Sequence, residues 1–204
     1  MANYVVGISG GSGAPYTKRV IEGLVQAGHD AKLVITDAGR RVFEIELGIS
    51  LTGNPASDTT TLNESLDLGS GAGSVELFEQ RNVAATIASG SYECAGMVVL
   101  PCSMGTLARI AAGVSSNLLE RAADVAIKER RTLILVPRET PLSLIHLRNM
   151  TAVTEAGAIV MPAMPGFYHH PEKVQDLVDM IAGRVLDKLG VDSTLLRRWR
   201  GVEN

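Results

Sequence analysis

Apolar runs of five or six residues alternate with segments of helical periodicity along most of the chain. Five runs rich in apolar residues are predicted as strands: residues 4–8, 31–36, 96–101, 132–137 and 158–162. Between the first two runs, apolar residues such as Val20 and Leu24 recur at the spacing of one helix face, and Gly28 ends that helix. Strands that alternate with helices pair in parallel, so the pattern predicts an α/β fold: a doubly wound, mostly parallel sheet with helices on both faces.

The alternation of strands and helices continues along the chain and predicts one domain over residues 1–204, with a basic tail from about residue 190. Residues 50–74 interrupt the pattern because they are rich in Ser, Thr, Gly, Asn and Asp. We interpret this segment as a long surface excursion with a short helix near residues 62–66. We also expect Asp37 to cap the helix that follows it, and Pro141 to begin a later helix.

Composition excludes several classes of function. A formal net charge of −3 and only 4% aromatic residues argue against binding to nucleic acid or to an anionic membrane. Cys94 and Cys102 have neither a CxxC nor a metal-ligand spacing, so we expect two reduced thiols. No window approaches the roughly 18 apolar residues of a membrane span, and residues 2–9 are too short for a signal-peptide core. We therefore expect a cytoplasmic protein.

Polar or glycine-rich turns follow four predicted strands, at the edge where a doubly wound sheet binds its ligand. These turns are residues 9–14, 36–37, 102–106 and 138–139. The first and third lead directly into helices, whose free N–H groups favour phosphate, and Gly10 and Gly11 allow close approach of the backbone. The first turn is neither a clean G-x-G-x-x-G nor a P-loop, and Thr36 stands where a dinucleotide site would have an acidic residue. These features favour a mononucleotide such as FMN.

Cationic side chains form a second group of candidates. Arg121 and Lys128 are seven residues apart and share a helix face, and Arg138 directly follows a buried strand beside Glu139. Arginine suits a phosphate ligand because its guanidinium binds bidentately. The adjacent histidines at 169–170 have no suitably spaced acidic partner, so we expect no metal site.

Several of these motifs resemble, in order and spacing, those of one family over about residues 5–199. The resemblance rests on ISGGSGA at 8–14, PCSMGTL at 101–107, the helix at 117–131, VPRETP at 136–141, IHLRNM at 145–150 and PGFY at 165–168. The family is that of the UbiX flavin prenyltransferases, which carry the older name aromatic acid decarboxylases. This chain has Gly11 where the family usually has Ala, and Thr36 where Ser is common, and the hydroxyls of Ser12 and Thr36 are kept.

The resemblance implies a Rossmann-like flavoprotein that moves a dimethylallyl group from dimethylallyl phosphate to N5 and C6 of reduced FMN, without a metal. It also implies a homo-dodecamer and a UbiD-type decarboxylase that receives the prenylated FMN. The donor stays open between a monophosphate and a pyrophosphate. Matched by position, the implied FMN contacts are Gly10, Gly11, Ser12, Thr36, Ser103, Met104, Gly105, Thr106 and Arg138. The residues implied around the substrate are Arg121, Lys128, Glu139, Tyr168, Arg184 and, in a tail that covers this site or a neighbouring subunit, Trp199.

In the implied mechanism, the cations neutralise the phosphate that leaves the allylic carbon. Glu139 and Ser12 are the candidates for the proton relay that closes the second bond, and the departed phosphate is an alternative base. Two other interpretations stay open at this point. One is an FMN-dependent decarboxylase of the related cysteine-decarboxylase group, and the other is a flavin-binding subunit without catalysis.

Overall fold

The molecule is built on a six-stranded sheet in which every strand pair is parallel. In the computed structural model, which describes residues 1–195, the strands are β1 (Asn3–Ile8), β2 (Asp30–Ile35), β3 (Val75–Phe78), β4 (Gly96–Cys102), β5 (Leu133–Pro137) and β6 (Ile159–Val160). Their order across the sheet is β3-β2-β1-β4-β5-β6. The chain adds strands outward on one side of β1, then crosses over to add β4, β5 and β6 on the other side, so the winding reverses between β1 and β4. The predicted doubly wound parallel fold is therefore confirmed, and the reversal marks the crevice where such sheets bind ligands.

Helices cover both faces of the sheet. They are α1 (Ala14–Gln26), α2 (Asp37–Leu47), α3 (Pro55–Ser65), α4 (Met104–Ala111), α5 (Leu118–Lys128), α6 (Leu144–Glu155) and α7 (Val174–Lys188). Successive side chains of a strand point to opposite faces, so Val6 packs into a core with α1 and α7, whereas Val5 packs into a second core with α4 and α5. Because both faces are buried, the central strands appear in the sequence as continuous apolar runs.

The excursion at residues 50–74 holds a longer helix than predicted. α3 begins after Asn54, whose side chain accepts hydrogen bonds from the N–H groups of the first turn, and Leu62 is fully buried beside β3. The buried carboxylate of Asp58 accepts bonds from the N–H groups of Thr52 and Gly53 at 2.7 and 2.8 Å. α3 was not predicted at its full length, because its Ser and Thr residues are typical of caps and turns. β3, a four-residue edge strand, was also missed.

Three predicted boundaries were wrong. Thr36, not Asp37, caps α2, because the Thr36 hydroxyl accepts a hydrogen bond from Gly39 N. α6 begins at Leu144 with Ser143 as its cap, not at Pro141. The last predicted strand, residues 158–162, is too long: β6 covers only Ile159–Val160, at the edge of the sheet.

A missing side chain on β1 sets the distance between α5 and the sheet. A Cβ added to Gly7 would lie 2.9 Å from Leu119 Cγ of α5, closer than side-chain carbons normally come. Leu119 is fully buried, so it has little freedom to move away. Gly7 therefore allows α5, which carries Arg121, to pack directly on the central strand.

We expect Gly7→Ala to lower the free energy of unfolding by about 1–3 kcal/mol through overpacking. Leu119→Ala alone should also destabilise, because it leaves a cavity. The double variant should lose less than the sum of the two, since the smaller side chain makes room for the new methyl group. Urea unfolding of the four proteins measures this, and strict additivity would contradict the assigned contact.

Candidate functional site

Three turns are joined at the carboxyl edge of the sheet. Ser9 N donates to Pro101 O at 3.1 Å, which connects the turn after β1 to the end of β4. Thr36 N donates to Ile8 O at 3.0 Å, which connects the end of β2 to the same turn. The residues that the resemblance assigned to FMN all lie on the turns and helix starts of this edge: Gly10, Gly11, Ser12, Thr36, Ser103, Met104, Gly105, Thr106 and Arg138.

The turn after β1, residues 9–14, which we call the glycine turn, packs closely between α2 and β4. A Cβ added to Gly10 would lie 2.6 Å from the Cβ of Ala38 in the first turn of α2. A Cβ added to Gly11 would lie 3.3 Å from Pro101 Cβ on β4. Gly10 is needed here for close approach, and its own backbone is exposed between the buried Ser9 and Gly11, where a ligand can reach it.

The first turn of α1 does not offer free N–H groups, contrary to expectation. Glu46 Oε2, from the last turn of α2, accepts hydrogen bonds from Gly13 N at 2.9 Å and Ala14 N at 2.8 Å. A carboxylate is favourable at this position because it satisfies two donors and faces the positive end of the helix. The protein thus supplies its own anion at α1, and a phosphate must be held elsewhere along the edge.

The start of α2 and the start of α4 are capped by hydroxyls instead. The Thr36 hydroxyl accepts from Gly39 N at 3.1 Å and donates to Ile8 O at 3.3 Å, while the Gln80 side-chain oxygen accepts from Asp37 N at 3.2 Å. The Ser103 hydroxyl accepts from Thr106 N at 3.3 Å and lies 3.0 Å from Thr106 Oγ1. Both capping side chains are neutral. α2 also carries Asp37 in its first turn, where it pairs with Arg40, whereas the first turn of α4 has no acidic residue that would offset its partial positive charge.

Cys102 immediately precedes this second cap but is not a nucleophile. Its side chain is fully buried, and burial raises the pKa of the Cys102 thiol to about 12. A thiol needs an accessible thiolate to react. The chemistry at this edge must therefore come from other groups.

A cleft of about 470 Å³ opens beside Arg138 at the ends of β5 and β6. Arg138 and Glu139 are exposed on its rim, and the other lining residues are largely apolar: Pro137, Thr140, Leu142, Met150, Pro162, Ala163 and Met164. Arg138 Nε donates to Ser12 O at 3.4 Å, so the cleft adjoins the glycine turn. Glu139 Oε1 accepts from Thr140 N at 3.1 Å, which orients the carboxylate. Charged side chains on the rim and apolar side chains on the wall thus line the same cleft.

Within one chain, the cations expected around the substrate phosphate lie on different faces of the sheet. Arg121 and Lys128 lie on α5, on the face shared with α4, whereas Arg184 lies exposed on α7, on the face shared with α1. Lys128 is the last residue of α5. Its Nζ lies close to Gly90, in the loop that leads into β4, since a Cβ added to Gly90 would be 2.7 Å from it. It is therefore at the opposite edge from the glycine turn. Tyr168 follows β6, with its ring 5.7 Å from that of His169. Trp199 lies outside the described residues.

A buried carboxylate joins α4 to α5. Glu120 accepts hydrogen bonds from Arg109 and from both the N–H and the hydroxyl of Ser116. Burial by itself raises the pKa of the Glu120 carboxyl, but the bonds from Ser116 and Arg109 outweigh it and hold that pKa below its ordinary value. Arg121, the next residue, is in turn oriented by Asp124 at 2.7 Å.

Comparison with known proteins decides the family. The family model described as Flavoprotein matches residues 1–186. Flavin prenyltransferase UbiX of Synechocystis sp. is 49% identical over 197 residues, which covers 97% of this chain and 95% of the relative. The chain belongs to the UbiX family of flavin prenyltransferases.

Solved structures of UbiX-type proteins agree with this assignment. AnUbiX (PadA1), crystallised with FMN and dimethylallyl pyrophosphate, is 37% identical with a TM-score of 0.84, and the match covers 99% of both chains. A dodecameric FMN-dependent Ubix-like decarboxylase from Escherichia coli O157:H7 is 39% identical with a TM-score of 0.84, covering 98% of this chain and 100% of the other.

Across residues 1–195, no cluster of three or more His, Cys, Asp and Glu side chains is arranged to hold a metal ion. Over the same residues, the helices are all too short or too polar to cross a membrane.

Sequence reasoning missed Glu46 and Gln80, which hold the helix starts at this edge. Glu46 is 33 residues from Gly13, and Gln80 is 43 residues from Asp37. No local motif connects either pair, because each contact exists only once β1, β2 and β3 are side by side. The usable signal was the lack of any side-chain cap at Gly13, which required an acceptor from elsewhere.

We expect Glu46→Ala to lower the free energy of unfolding by about 1–3 kcal/mol, since two N–H groups lose their acceptor. Glu46→Gln keeps an acceptor oxygen and should lose less. Glu44→Ala is the matched control, because Glu44 lies on the same helix and its carboxylate accepts only from the exposed Ser50 hydroxyl in the described contacts. Urea unfolding monitors all three, and equal losses for Glu46→Ala and Glu44→Ala would refute the capping role.

Proposed function

We propose that this protein transfers a dimethylallyl group from dimethylallyl phosphate to N5 and C6 of reduced FMN and so makes prenylated FMN. The proposal is carried by one observation: the glycine turn, two hydroxyl-capped helix starts and Arg138 meet at one sheet edge, beside a cleft with a carboxylate on its rim. Membership in the UbiX family supports it, as does the AnUbiX structure with FMN and dimethylallyl pyrophosphate.

The residues at the edge fit FMN. Gly10 and Gly11 let the turn pack against Ala38 and Pro101 while the backbone of Gly10 stays exposed. The hydroxyls of Thr36 and Ser103 lie at the starts of α2 and α4, and Thr106 is buried beside Ser103, to which it is hydrogen-bonded. The first turn of α4 has no acidic residue, and Asp37 in the first turn of α2 is paired with Arg40. Because Glu46 neutralises α1, we assign the FMN phosphate to these other donors. Arg138 and Ser12 then lie towards the cleft, where the flavin ring would meet the prenyl donor. Reduced FMN supplies the nucleophilic N5 and, afterwards, C6.

The cations act on the leaving phosphate. Arg121, Lys128 and Arg184 lie apart in one chain, so we propose that neighbouring subunits supply them to each site, together with the hydroxyl of Tyr168 and a tail that includes Trp199. Positive charge around the phosphate stabilises the transition state in which the bond between the allylic carbon and the phosphate oxygen breaks, because the departing oxygens gain negative charge. A homo-oligomer follows from this requirement, and the dodecameric Escherichia coli relative supports a dodecamer.

Glu139 and Ser12 move the protons. Closing the second bond requires a proton to be added to the alkene and another to be removed from the flavin ring. The Glu139 carboxylate is oriented by Thr140 N on the rim of the cleft, and the backbone oxygen of Ser12 accepts from Arg138, the residue before Glu139. We assign the relay to these two groups, with the departed phosphate as the alternative base.

The product is of no use to this protein itself, so we propose that a UbiD-type decarboxylase receives it, and that both work in the cytoplasm. The interpretation as a cysteine-type decarboxylase is not favoured, because the relative at 49% identity is a flavin prenyltransferase. A flavin-binding subunit without catalysis is disfavoured by the same relationship. Product formation by the purified protein alone separates these possibilities.

We expect anaerobic incubation with reduced FMN and dimethylallyl phosphate to release a flavin enlarged by one five-carbon unit, as read by mass spectrometry. Glu139→Gln should bind FMN as the wild type does but lose at least about 10²-fold in product formation, the usual contribution of general acid–base catalysis. Glu155→Gln, an exposed change at the end of α6, serves as the control. Wild-type turnover by Glu139→Gln would remove Glu139 from the relay.

We expect subunits to complement one another if each site draws on several chains. Arg138→Ala should lose FMN contact and Arg184→Ala should lose use of the prenyl donor, so neither variant alone is active. Mixed in equal amounts during assembly, the two should regain about a quarter of the wild-type sites, because each site takes each arginine from an intact chain with even chance. Assays of co-assembled protein test this, and no recovery would place both arginines in one subunit's site.

A further inference from the structure

A buried serine outside the expected FMN contacts bridges two turns that we call the flavin turns: the glycine turn after β1 and the turn at residues 102–106 at the end of β4. The Ser9 side chain is 1% exposed and lies at the end of β1. Its hydroxyl donates to Pro101 O at 2.9 Å and accepts from Ser103 N at 2.7 Å. Its own N–H also donates to Pro101 O, at 3.1 Å. One side chain thus contacts the residues on both sides of Cys102.

These bonds fix the start of α4 relative to the glycine turn. Ser103 is the N-cap of α4, and its N–H points back to Ser9 while its hydroxyl accepts from Thr106 N. Gly10 and Gly11 directly follow Ser9, so the glycine turn starts from the same anchored residue. If the hydroxyl is removed, Ser103 N loses its acceptor in a part-buried position, which costs stability and favours a shift of the cap.

We propose that Ser9 is a positioning residue for flavin: its hydroxyl holds the two turns at one separation, and the affinity for FMN depends on that bridge. The inference rests on the proposed function, because it takes FMN as the ligand of both turns. Ser9 itself is too deeply buried to reach a ligand, so it acts through Ser103 and the glycine turn. A site held rigid before binding loses less free energy on ordering when the ligand arrives.

Thr17 provides a matched control for the stability cost. It is 0% exposed, and its hydroxyl donates to Leu100 O at 2.7 Å, one residue before the carbonyl that Ser9 contacts. The bond joins α1 to β4, and in the described contacts it involves neither flavin turn. Thr17→Val therefore removes a buried hydroxyl of the same kind without touching the bridge.

The test compares Ser9→Ala, Ser9→Thr and Thr17→Val with the wild type, by melting temperature and by FMN titration that follows quenching of flavin fluorescence. Ser9→Ala and Thr17→Val should both melt lower, but only Ser9→Ala should lose FMN affinity, roughly tenfold for one lost buried hydrogen bond. Ser9→Thr keeps the hydroxyl and should restore the affinity. That pattern separates positioning from a general loss of stability.

Two results would count against the inference. It is overturned if Ser9→Ala keeps wild-type affinity, or if Thr17→Val loses as much affinity as Ser9→Ala. Should Ser9→Ala fail to fold, Ser9→Cys carries the same comparison, since a thiol is a weaker donor and acceptor. If Ser9→Cys binds FMN more weakly than the wild type, the bridge is supported; wild-type affinity overturns it. A wild-type protein that binds no FMN would instead refute the proposed function.

Discussion

The organisation of this protein depends on how closely the chain can approach β1. At Gly7, Gly10 and Gly39, an added Cβ would lie 2.9, 2.6 and 2.7 Å from a neighbouring atom, and at Gly39 that atom is the backbone carbonyl oxygen of Ile8. Helix α5, the first turn of α2 and the turn after β1 can all converge because these positions have no side chain. Close packing transmits the constraint outward, since protein interiors leave little free space. The edge where the turns meet is therefore defined by backbone contact before any functional side chain is considered.

Charge at this edge is distributed unequally among the helix starts. α1 faces the carboxylate of Glu46, whereas α2 and α4 are capped by the neutral hydroxyls of Thr36 and Ser103. At α2 the Gln80 amide oxygen also accepts a bond, and the carboxylate of Asp37 is paired with Arg40. Helix N-termini share the same attraction for anions, so the fold decides which of them stay available. In a dinucleotide-binding sheet the pyrophosphate lies at the first helix, and here that position is already filled. The arrangement is consistent with a ligand that carries one phosphate.

Much of the fold could be predicted from the sequence, because β1, β4 and β5 are buried along nearly all of their length and form almost continuous apolar runs, and β2 ends in one at residues 33–35. β3 was missed because it is a four-residue edge strand, and α3 was displaced because its Ser and Thr residues resemble a turn. The turns of the site were predictable because each directly follows a strand. The contacts of Glu46 and Ser9 were not, because they join residues 32 to 94 positions apart and leave no periodic signal.

The cationic residues illustrate a different limit of prediction. Their spacing along α5 was visible, but a helix face says nothing about which subunit it serves. Arg121 and Arg184 lie on opposite faces of the same sheet, so one chain directs its charges to two different surroundings. In the symmetric assembly that we propose, every copy would inherit any substitution at once, and a change on the outside of α7 would alter sites on another copy. The outer helix faces would then be under the same selection as the catalytic groups, and their drift would be held to the slow pace of an active centre.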